Sequence, residues 1–412
     1  MKNHVVIGLL VLGLSVGARY AHACSNFYFD KNGKSLVAHK MDWVTSAGMV
    51  VAGKRHVKKR GFQVKNTPEF TWTSKFGSIA LSMDGRESTG RGMNEAGLLL
   101  LEAALSATEQ SSDHNLPLLS VAQWTQYQLD TSETIEDVIA SDKVVRIRPD
   151  DIQSHFFAWD RSGKPAVIEW LDGKMKVFRG DTLPIPVINN STYESCVAAG
   201  DDPTRRFKTI VDGIHAYDPS QSGDSISYVF SILKSVDYML PLPTQPQWSV
   251  IFDIPASRLY LSTARNSNVR YFDMKSFDYS CLTNVDVLDI NGEGSGDVRS
   301  KFVPYTTAIN RAFVEEVYNT YASYGHPTDQ EAIDEIIAFP DTTICMDNPP
   351  TQDAGGTDAS PETGRTSDGG SDVPTKGNSS SGCQIGRGRP GSAAIVLSFI
   401  GLRAAMRRRR IR

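Results

Sequence analysis

The sequence predicts a fold of the α+β class, on three observations. Strand-like runs fall into three clusters, with helical periodicity between the clusters and after the last one. Of the 412 residues, 40% are hydrophobic and 22% are charged, as in a soluble globular protein. No internal repeat is apparent. Strands that are grouped in this way favour packed layers over a doubly wound parallel sheet.

The first cluster contains four strand-like runs, at residues 25–30, 35–42, 77–84 and 97–104. The first two flank the turn Lys31-Asn32-Gly33-Lys34, so they are expected to form a hairpin. Two helices are predicted after this cluster, at 117–129 and 131–141, with Ser132 as a candidate cap of the second.

The second and third clusters extend the same arrangement. Strands are predicted at 155–159, 166–170, 175–178, 248–253, 259–263 and 269–272. Helices are predicted at 206–214, 225–236, 309–322 and 329–339.

Residues 1–23 are typical of a secretory signal peptide. Lys2 precedes an apolar run at 5–16, and Ala21-His22-Ala23 forms an A-x-A cleavage site. Cleavage after Ala23 makes Cys24 the first residue of the mature chain. A lipoprotein signal also places a cysteine at this junction, but it usually carries leucine at the position of Ala21. We therefore favour plain cleavage and an exported protein, in the periplasm or at the cell surface.

The folded domain is expected to span residues 24–345. Residues 346–382 are almost entirely small and polar, which predicts a disordered linker. Residues 383–412 contain Cys383, a short apolar run and a terminal cluster of arginines. This tail resembles a C-terminal surface-sorting signal that engages sorting machinery, and a weak membrane anchor held by the arginines is the alternative.

Charge and cysteine content exclude several functions. The net charge of −4 and the pI near 6.1 predict no nucleic-acid partner. Neither the eight histidines nor the five cysteines show metal-site spacing, and no phosphate loop is present, so no metal or cofactor is expected. Cys281 and Cys345 are candidates for a disulfide, and Cys196 is equally consistent with a buried thiol. The basic run 54–60 indicates a solvated face or, alternatively, a contact for an anionic substrate.

A cysteine that cleavage frees at the amino terminus combines a nucleophile and a base in one residue. The α-amino group titrates at about pH 7.7–8.0, so it can accept the thiol proton near neutrality. Cys24 is therefore a candidate N-terminal nucleophile.

Five segments behind this cysteine occur in the order typical of one enzyme family. They are Ala38-His39-Lys40-Met41-Asp42-Trp43, Gly92-Met93-Asn94-Glu95-Ala96-Gly97-Leu98, Val187-Ile188-Asn189-Asn190-Ser191, Arg206-Phe207 and the strand at 248–253. Together with Cys24-Ser25-Asn26-Phe27-Tyr28-Phe29, they resemble the choloylglycine hydrolase family, which includes bile salt hydrolases and penicillin V acylases. The resemblance implies an N-terminal-nucleophile hydrolase with a four-layer αββα sandwich.

The same resemblance implies roles for four residues. Cys24 attacks an amide carbonyl, and Asp42 holds the freed Cys24 amino group. Asn190 donates its side-chain amide to the oxyanion, and Arg206 supports the cysteine electrostatically. Structural alternatives are a turn or strand end for Asp42, a loop cap for Asn190 and a surface ion pair for Arg206.

The sequence departs from the family pattern at two positions. His39 stands where the family usually has an arginine near the thiol, and histidine is shorter and mostly neutral at pH 7. His39 can donate a hydrogen bond there or act as a cation at lower pH. Lys40 is expected to point to the opposite face of the strand. Ala104 occupies the place of a second polar side chain, which leaves a backbone N–H as the second oxyanion donor.

These observations predict a hydrolase of linear amide bonds that acts on N-acyl compounds through a Cys24 thioester. Penicillin V and N-acyl homoserine lactones are the favoured substrate types, and conjugated bile salts are less favoured. The alternative is a catalytically impaired surface lipoprotein or binding module on the same scaffold, with an acylated Cys24. The expected partner is a small N-acyl amide, and a homo-oligomer is left open.

Overall fold

The computed structural model describes residues 24–62, 67–111, 115–237, 245–325 and 328–347. The predicted signal peptide and the tail at 383–412 lie outside these residues, as does the linker from residue 348 onward. The helices are α1 Val121–Thr131, α2 Ile135–Ser141, α3 Tyr193–Ala199, α4 Arg206–His215, α5 Ser225–Ser235, α6 Thr307–Ser323 and α7 Gln330–Ala338.

Twenty-one strands are present in the described residues. They are β1 Ser25–Lys31, β2 Lys34–Trp43, β3 Met49–Gly53, β4 Val57–Arg60, β5 Thr71–Thr73, β6 Ser78–Ser82, β7 Arg91–Asn94, β8 Leu99–Ala104, β9 Leu118–Leu119, β10 Arg146–Ile147, β11 Ser154–Trp159, β12 Pro165–Leu171, β13 Lys174–Arg179, β14 Val187–Ile188, β15 Gln245–Asp253, β16 Arg258–Thr263, β17 Arg270–Asp273, β18 Asp286–Asp289, β19 Gly296–Asp297, β20 Val303–Pro304 and β21 Ile344–Cys345.

Most strands belong to two large sheets. One has seven strands in the order β14-β1-β2-β15-β16-β17-β19, and the other has nine in the order β13-β12-β11-β8-β7-β6-β3-β18-β20. Neighbouring strands are antiparallel in both sheets, except that β17 and β19 run parallel. Such sheets alternate their side chains between two faces, and here each face is covered.

The two sheets pack face to face around the largest hydrophobic cluster, which contains Val37, Val50, Leu101, Phe157 and Val250. Helices α4 and α5 cover the outer face of the seven-stranded sheet. Helices α1 and α2 cover one part of the nine-stranded sheet, and α6 with α7 covers another. The predicted α+β class and the four-layer αββα sandwich are therefore confirmed.

The β1–β2 hairpin determines which side chains reach the space between the sheets. Asn26 lies opposite His39, and Ser25 lies opposite Lys40. Because alternate residues of a strand face the same side, Cys24, Asn26 and His39 share the inner face. The Lys40 side chain is ion-paired with Asp237, which follows α5, so it points to the helix-covered face as expected.

The basic run 54–60 is only partly solvated, because Lys58 is exposed while two other lysines are buried. Lys54 and Lys59 are buried, and Lys54 Nζ donates to Thr283 Oγ1 over 3.0 Å. Lys59 is ion-paired with Glu87 and, at 3.0 Å, with Asp130. The prediction of a solvated face was therefore wrong for Lys54 and Lys59, because their acidic and polar partners lie far away in the sequence, and the alternative of a substrate contact stays a prediction.

The cysteines of the described residues are placed as the sequence suggests. Cys281 and Cys345 form a disulfide that links the start of the β18 region to β21, and their Cα atoms are 5.4 Å apart. Cys196 is a buried free thiol in α3. Within the described ranges, no helix is long and apolar enough to cross a membrane.

Candidate active site

Arg206 brings the predicted site residues together. It is the first residue of α4, and it is only 1% exposed. Its Nη1 donates to the Cys24 carbonyl oxygen over 3.1 Å and lies 3.7 Å from Asp42 Oδ2. Its Nη2 donates to Asn190 Oδ1 over 2.7 Å. The four residues therefore form one cluster, and Arg206 is not in a surface ion pair.

Asn190 is held from two sides. Its Oδ1 accepts from Arg206, and its Nδ2 donates to the Ala104 carbonyl oxygen over 2.7 Å. A side-chain amide has two N–H donors, so one N–H is left for a further acceptor. Ala104 thus contributes a carbonyl that orients Asn190, and a backbone N–H as the second oxyanion donor stays a prediction.

Cys24 lies at the amino end of β1 and is 4% exposed, with its side chain in the cluster between the sheets. Burial raises the pKa of the Cys24 thiol above its usual value of 9.0, and the nearby Arg91 guanidinium counteracts part of this effect. The thiol is therefore protonated at neutral pH. It needs a base beside it before it can act as a nucleophile.

Asp42 is fully buried next to this thiol. Neither of its carboxylate oxygens has a hydrogen-bond partner among the described residues. Burial raises the pKa of Asp42 to about 7, although Lys40 and Arg206 partly oppose the effect. A buried carboxylate that is charged and has no hydrogen-bond partner is unfavourable. A positive group placed beside it stabilises its charged form.

His39 is also fully buried, and its Nδ1 lies 2.6 Å from Asn26 Oδ1. Because an amide oxygen only accepts, Nδ1 carries the proton and Nε2 is the bare nitrogen. Burial lowers the pKa of His39 well below 6.5, and the cations Arg91 and Lys40 lower it further. His39 is therefore neutral, and its surroundings oppose the predicted cationic role at lower pH. Its single N–H is directed to Asn26.

Arg91 supplies a positive charge that sequence reasoning missed. It lies on β7 of the opposite sheet, in register with Leu101 of β8. Asn26 Nδ2 donates across the gap between the sheets to the Leu101 carbonyl, over 3.4 Å. Arg91 is buried, its Nη2 is 3.8 Å from Glu102, and it lowers the pKa of Cys24. No local pattern identifies this residue, because only packing of the two sheets brings it to the thiol.

An aromatic wall adjoins the site where β2 ends. Trp43 follows Asp42, and its Nε1 donates to Tyr321 Oη over 3.1 Å. The two rings meet edge to face with centroids 6.3 Å apart, and Tyr318 packs against Tyr321 in the same way. Both tyrosines belong to α6, so the helix layer reaches the vicinity of Asp42.

The site has the groups that acyl transfer requires. It combines a thiol, a side-chain amide with a free N–H, a buried carboxylate and two buried arginines, and these suit a nucleophile with a stabilised oxyanion. In the part of the chain that the structure describes, no three His, Cys, Asp or Glu side chains are grouped so that they could hold a metal ion.

The αββα sandwich, with a buried cysteine that opens its β1–β2 hairpin, is the fold of the N-terminal-nucleophile hydrolases. The sequence profile described as "Linear amide C-N hydrolases, choloylglycine hydrolase family" matches residues 24–199. Residues 24–199 are thus similar to the choloylglycine hydrolase family, and the chain is a linear amide C–N hydrolase.

Among the known proteins that are similar to this chain are two penicillin V acylases and a bile acid hydrolase. The penicillin V acylase of Pectobacterium atrosepticum is 25% identical over 333 residues, which cover 67% of this chain and 87% of the relative. The structure of penicillin V acylase from Agrobacterium tumefaciens has a TM-score of 0.57 at 25% identity and covers 69% of this chain and 98% of that one. A variant of the conjugated bile acid hydrolase from Clostridium perfringens shares the fold, with a TM-score of 0.51 at 17% identity over 69% and 97% of the chains.

Proposed function

We propose that this protein hydrolyses N-acyl amides through a thioester on Cys24, after removal of residues 1–23. The observation that carries the proposal is the convergence of Arg206 on Cys24, Asn190 and Asp42, at 3.1, 2.7 and 3.7 Å. One buried guanidinium thereby holds the nucleophile's backbone, the amide donor and the carboxylate in a single arrangement.

Cleavage of the Ala23–Cys24 peptide bond creates an α-amino group next to the buried thiol. The amine takes the thiol proton, and the resulting thiolate attacks the substrate carbonyl. Asn190 donates its free N–H to the oxyanion. When the C–N bond breaks, the ammonium returns the proton to the leaving amine. Water that is activated by the same amine then hydrolyses the thioester and releases the acid.

Asp42 has a defined part in this scheme. Its carboxylate is buried and lacks hydrogen-bond partners among the described residues. A Cys24 ammonium placed beside it provides both a charge partner and N–H donors. The unmet requirement of this carboxylate supports the release of an amine at Cys24.

For the substrate, we propose an N-acyl amide with an aromatic or aliphatic acyl group, such as penicillin V or an N-acyl homoserine lactone. The similarity to two penicillin V acylases supports this choice. The aromatic wall of Trp43, Tyr318 and Tyr321 supports an apolar acyl group. Conjugated bile salts are the second choice, because the bile acid hydrolase shares only the fold.

We further propose that the enzyme works outside the cytoplasm, in the periplasm or at the cell surface, as the predicted signal peptide and tail suggest. The burial of Cys24 between two sheets supports a free thiol over a lipid-modified one, since a membrane-anchoring diacylglycerol group would have to leave the packed interior.

The two buried free thiols of the described residues, Cys24 and Cys196, allow a matched test on a panel of penicillin V, acyl homoserine lactones and bile salt conjugates. Cys24→Ser should abolish turnover of every substrate. Cys196→Ser should keep most of the turnover, because a hydroxyl can still donate to Asn189 Oδ1 and Cys196 contacts none of the proposed reacting groups. Equal activity of both variants would refute the mechanism, and the preferred substrate is read from kcat/KM of the unsubstituted enzyme.

A further inference from the structure

A buried imidazole–carboxylate pair lies directly beneath Asn190. His155 of β11 and Glu169 of β12 are both 0% exposed. His155 Nδ1 is 2.9 Å from Glu169 Oε1, and His155 Nε2 is 2.6 Å from the Asn189 carbonyl oxygen. Neither residue contacts the proposed reacting groups, and neither stands out in the sequence.

The hydrogen bonds determine how the pair is protonated. A carbonyl oxygen only accepts, so His155 Nε2 carries a proton and donates it to Asn189. Glu169 Oε1 also accepts from the Tyr193 backbone N–H, over 2.9 Å. One further proton lies between His155 Nδ1 and Glu169 Oε1. The pair is thus locked in one orientation from both ends.

These contacts hold the backbone on both sides of Asn190. His155 fixes the carbonyl of Asn189, immediately before it, and Glu169 fixes the N–H of Tyr193, at the start of α3. The Asn190 side chain itself is held by Ala104 and Arg206. Main chain and side chain are therefore oriented by separate groups.

Stability alone gives little reason for such a pair. A fully buried charged or polar pair loses its hydration, and apolar residues of similar size are often at least as stable. Glu169 Oε2 also lacks a hydrogen-bond partner among the described residues. A rigid oxyanion donor, in contrast, needs its supporting groups fixed to a fraction of an ångström.

We infer that His155 and Glu169 are positioning residues that hold Asn190 where its free N–H meets the oxyanion. This inference rests on the proposed function, because it gives Asn190 the oxyanion role. Loss of the pair should therefore weaken the stabilisation of the transition state by Asn190. The nucleophile and the substrate-binding surface should stay intact.

The kinetic test compares His155→Leu, Glu169→Leu and Glu169→Gln. The two leucine variants should lower kcat by about 10- to 100-fold, with KM changed by no more than about threefold, since the lost contact acts through one oxyanion donor. Glu169→Gln keeps an oxygen that accepts from Tyr193 N–H, so it should retain most of kcat. The rate of Cys24 alkylation by iodoacetamide should be unchanged in all three.

Gln128→Leu is a matched control for general loss of stability. Gln128 is fully buried in α1 and hydrogen-bonds Ser141 and Ser132 over 2.7 and 2.8 Å, in the outer helix layer. It should lower the melting temperature and leave kcat unchanged. If His155→Leu loses no more kcat than Gln128→Leu, or if kcat and alkylation fall together, the pair is merely structural and the inference is wrong.

A second measurement does not depend on turnover. In protein labelled with ¹⁵N-asparagine, the Asn190 side-chain amide resonance is assigned from its absence in Asn190→Asp. It should move in His155→Leu and stay in place in Gln128→Leu. An unmoved resonance would overturn the positioning role, even if no substrate of the enzyme were turned over. The failure of the proposed function would instead appear as unchanged activity in Cys24→Ser.

Discussion

Nη2 of Arg206 donates to Oδ1 of Asn190 over 2.7 Å, and this contact turns the amide nitrogen of Asn190 away from the guanidinium. The same arginine holds the Cys24 carbonyl through Nη1, over 3.1 Å. The proposed nucleophile and the proposed oxyanion donor are therefore connected through a single side chain. Their relative placement depends on it.

The first prediction concerns this connection. Arg206→Lys should reduce kcat/KM by at least about 100-fold, because an ammonium cannot satisfy the Cys24 and Asn190 oxygens in the same planar geometry. It should also lower the free energy of unfolding by about 2–4 kcal/mol, since buried acceptors lose their charged donor. Steady-state kinetics and urea unfolding measure the two effects.

The adjacent Arg205 provides the control. Its side chain is 76% exposed and lies 3.8 Å from Asp201. Arg205→Lys should change neither activity nor stability, because exposed ion pairs contribute little. If Arg206→Lys and Arg205→Lys had the same kcat/KM and the same free energy of unfolding, Arg206 would not be the residue that connects Cys24 and Asn190.

The second prediction concerns the oxyanion. Asn190→Ala should lower kcat by about 100- to 1000-fold, the usual loss when one oxyanion donor is removed. Asn190→Asp keeps an oxygen for Arg206 but has no N–H, so it should be impaired at least as much. If Asn190→Asp were nearly as active as the unsubstituted enzyme, the donor would have to be another group.

The third prediction separates Arg91 from His39. A cation stabilises the thiolate, so removal of Arg91 should raise the pKa of Cys24 further. In Arg91→Met, the rate of Cys24 alkylation should therefore rise at a higher pH than in the unsubstituted protein. Arg91→Lys keeps a cation, so it should restore much of the original dependence of the alkylation rate on pH. His39 is neutral, so His39→Gln should leave the profile in place. A larger shift in His39→Gln than in Arg91→Met would contradict this assignment of the charge.

The fourth prediction concerns the unprocessed chain, in which Cys24 has no free amine. The pKa of folded Asp42 is raised from 3.8 to about 7. The cost of ionising it is therefore absent below pH 3.8 and complete above pH 7. Asp42→Asn should stabilise the unprocessed chain more at pH 8 than at pH 5, by at most about 3 kcal/mol. Urea unfolding at both pH values measures the difference.

In the mature chain the sign should reverse. The Cys24 ammonium stabilises the Asp42 carboxylate, so Asp42→Asn should then destabilise the protein at neutral pH. The effect of Asp42→Asn in the unprocessed chain is thus the control for its effect in the mature chain. A stabilising effect in both forms would show that Asp42 does not hold the amine.

Most of the fold was predictable because its longer elements carry clear periodicity. Helix α7 was expected at 329–339 and spans Gln330–Ala338, and β12 was expected at 166–170 and spans Pro165–Leu171. Short elements such as α3 were missed, since seven residues carry too little periodic signal. The short strands β18 to β20 were missed for the same reason.

The site was predictable only where residues lie in recognisable motifs. Cys24, Asp42, Asn190 and Arg206 meet as the resemblance implies, and their roles stay predictions. Arg91 and the pair His155–Glu169 were not found, since their significance comes from packing of the two sheets and from contacts with the separate segment Asn189–Tyr193. Burial of Lys54 and Lys59 was hidden for the same physical reason.

The most direct test of Cys24 as an N-terminal nucleophile is the intact mass of the purified mature protein, before and after acid quench during turnover of penicillin V. The mature chain should begin at Cys24 with a free amine, and the quenched species should be heavier by one acyl group. Peptide mapping should place that group on Cys24, and hydroxylamine should remove it as it removes a thioester. A diacylglycerol adduct at Cys24, or product formation with no acyl group on Cys24, would contradict the account.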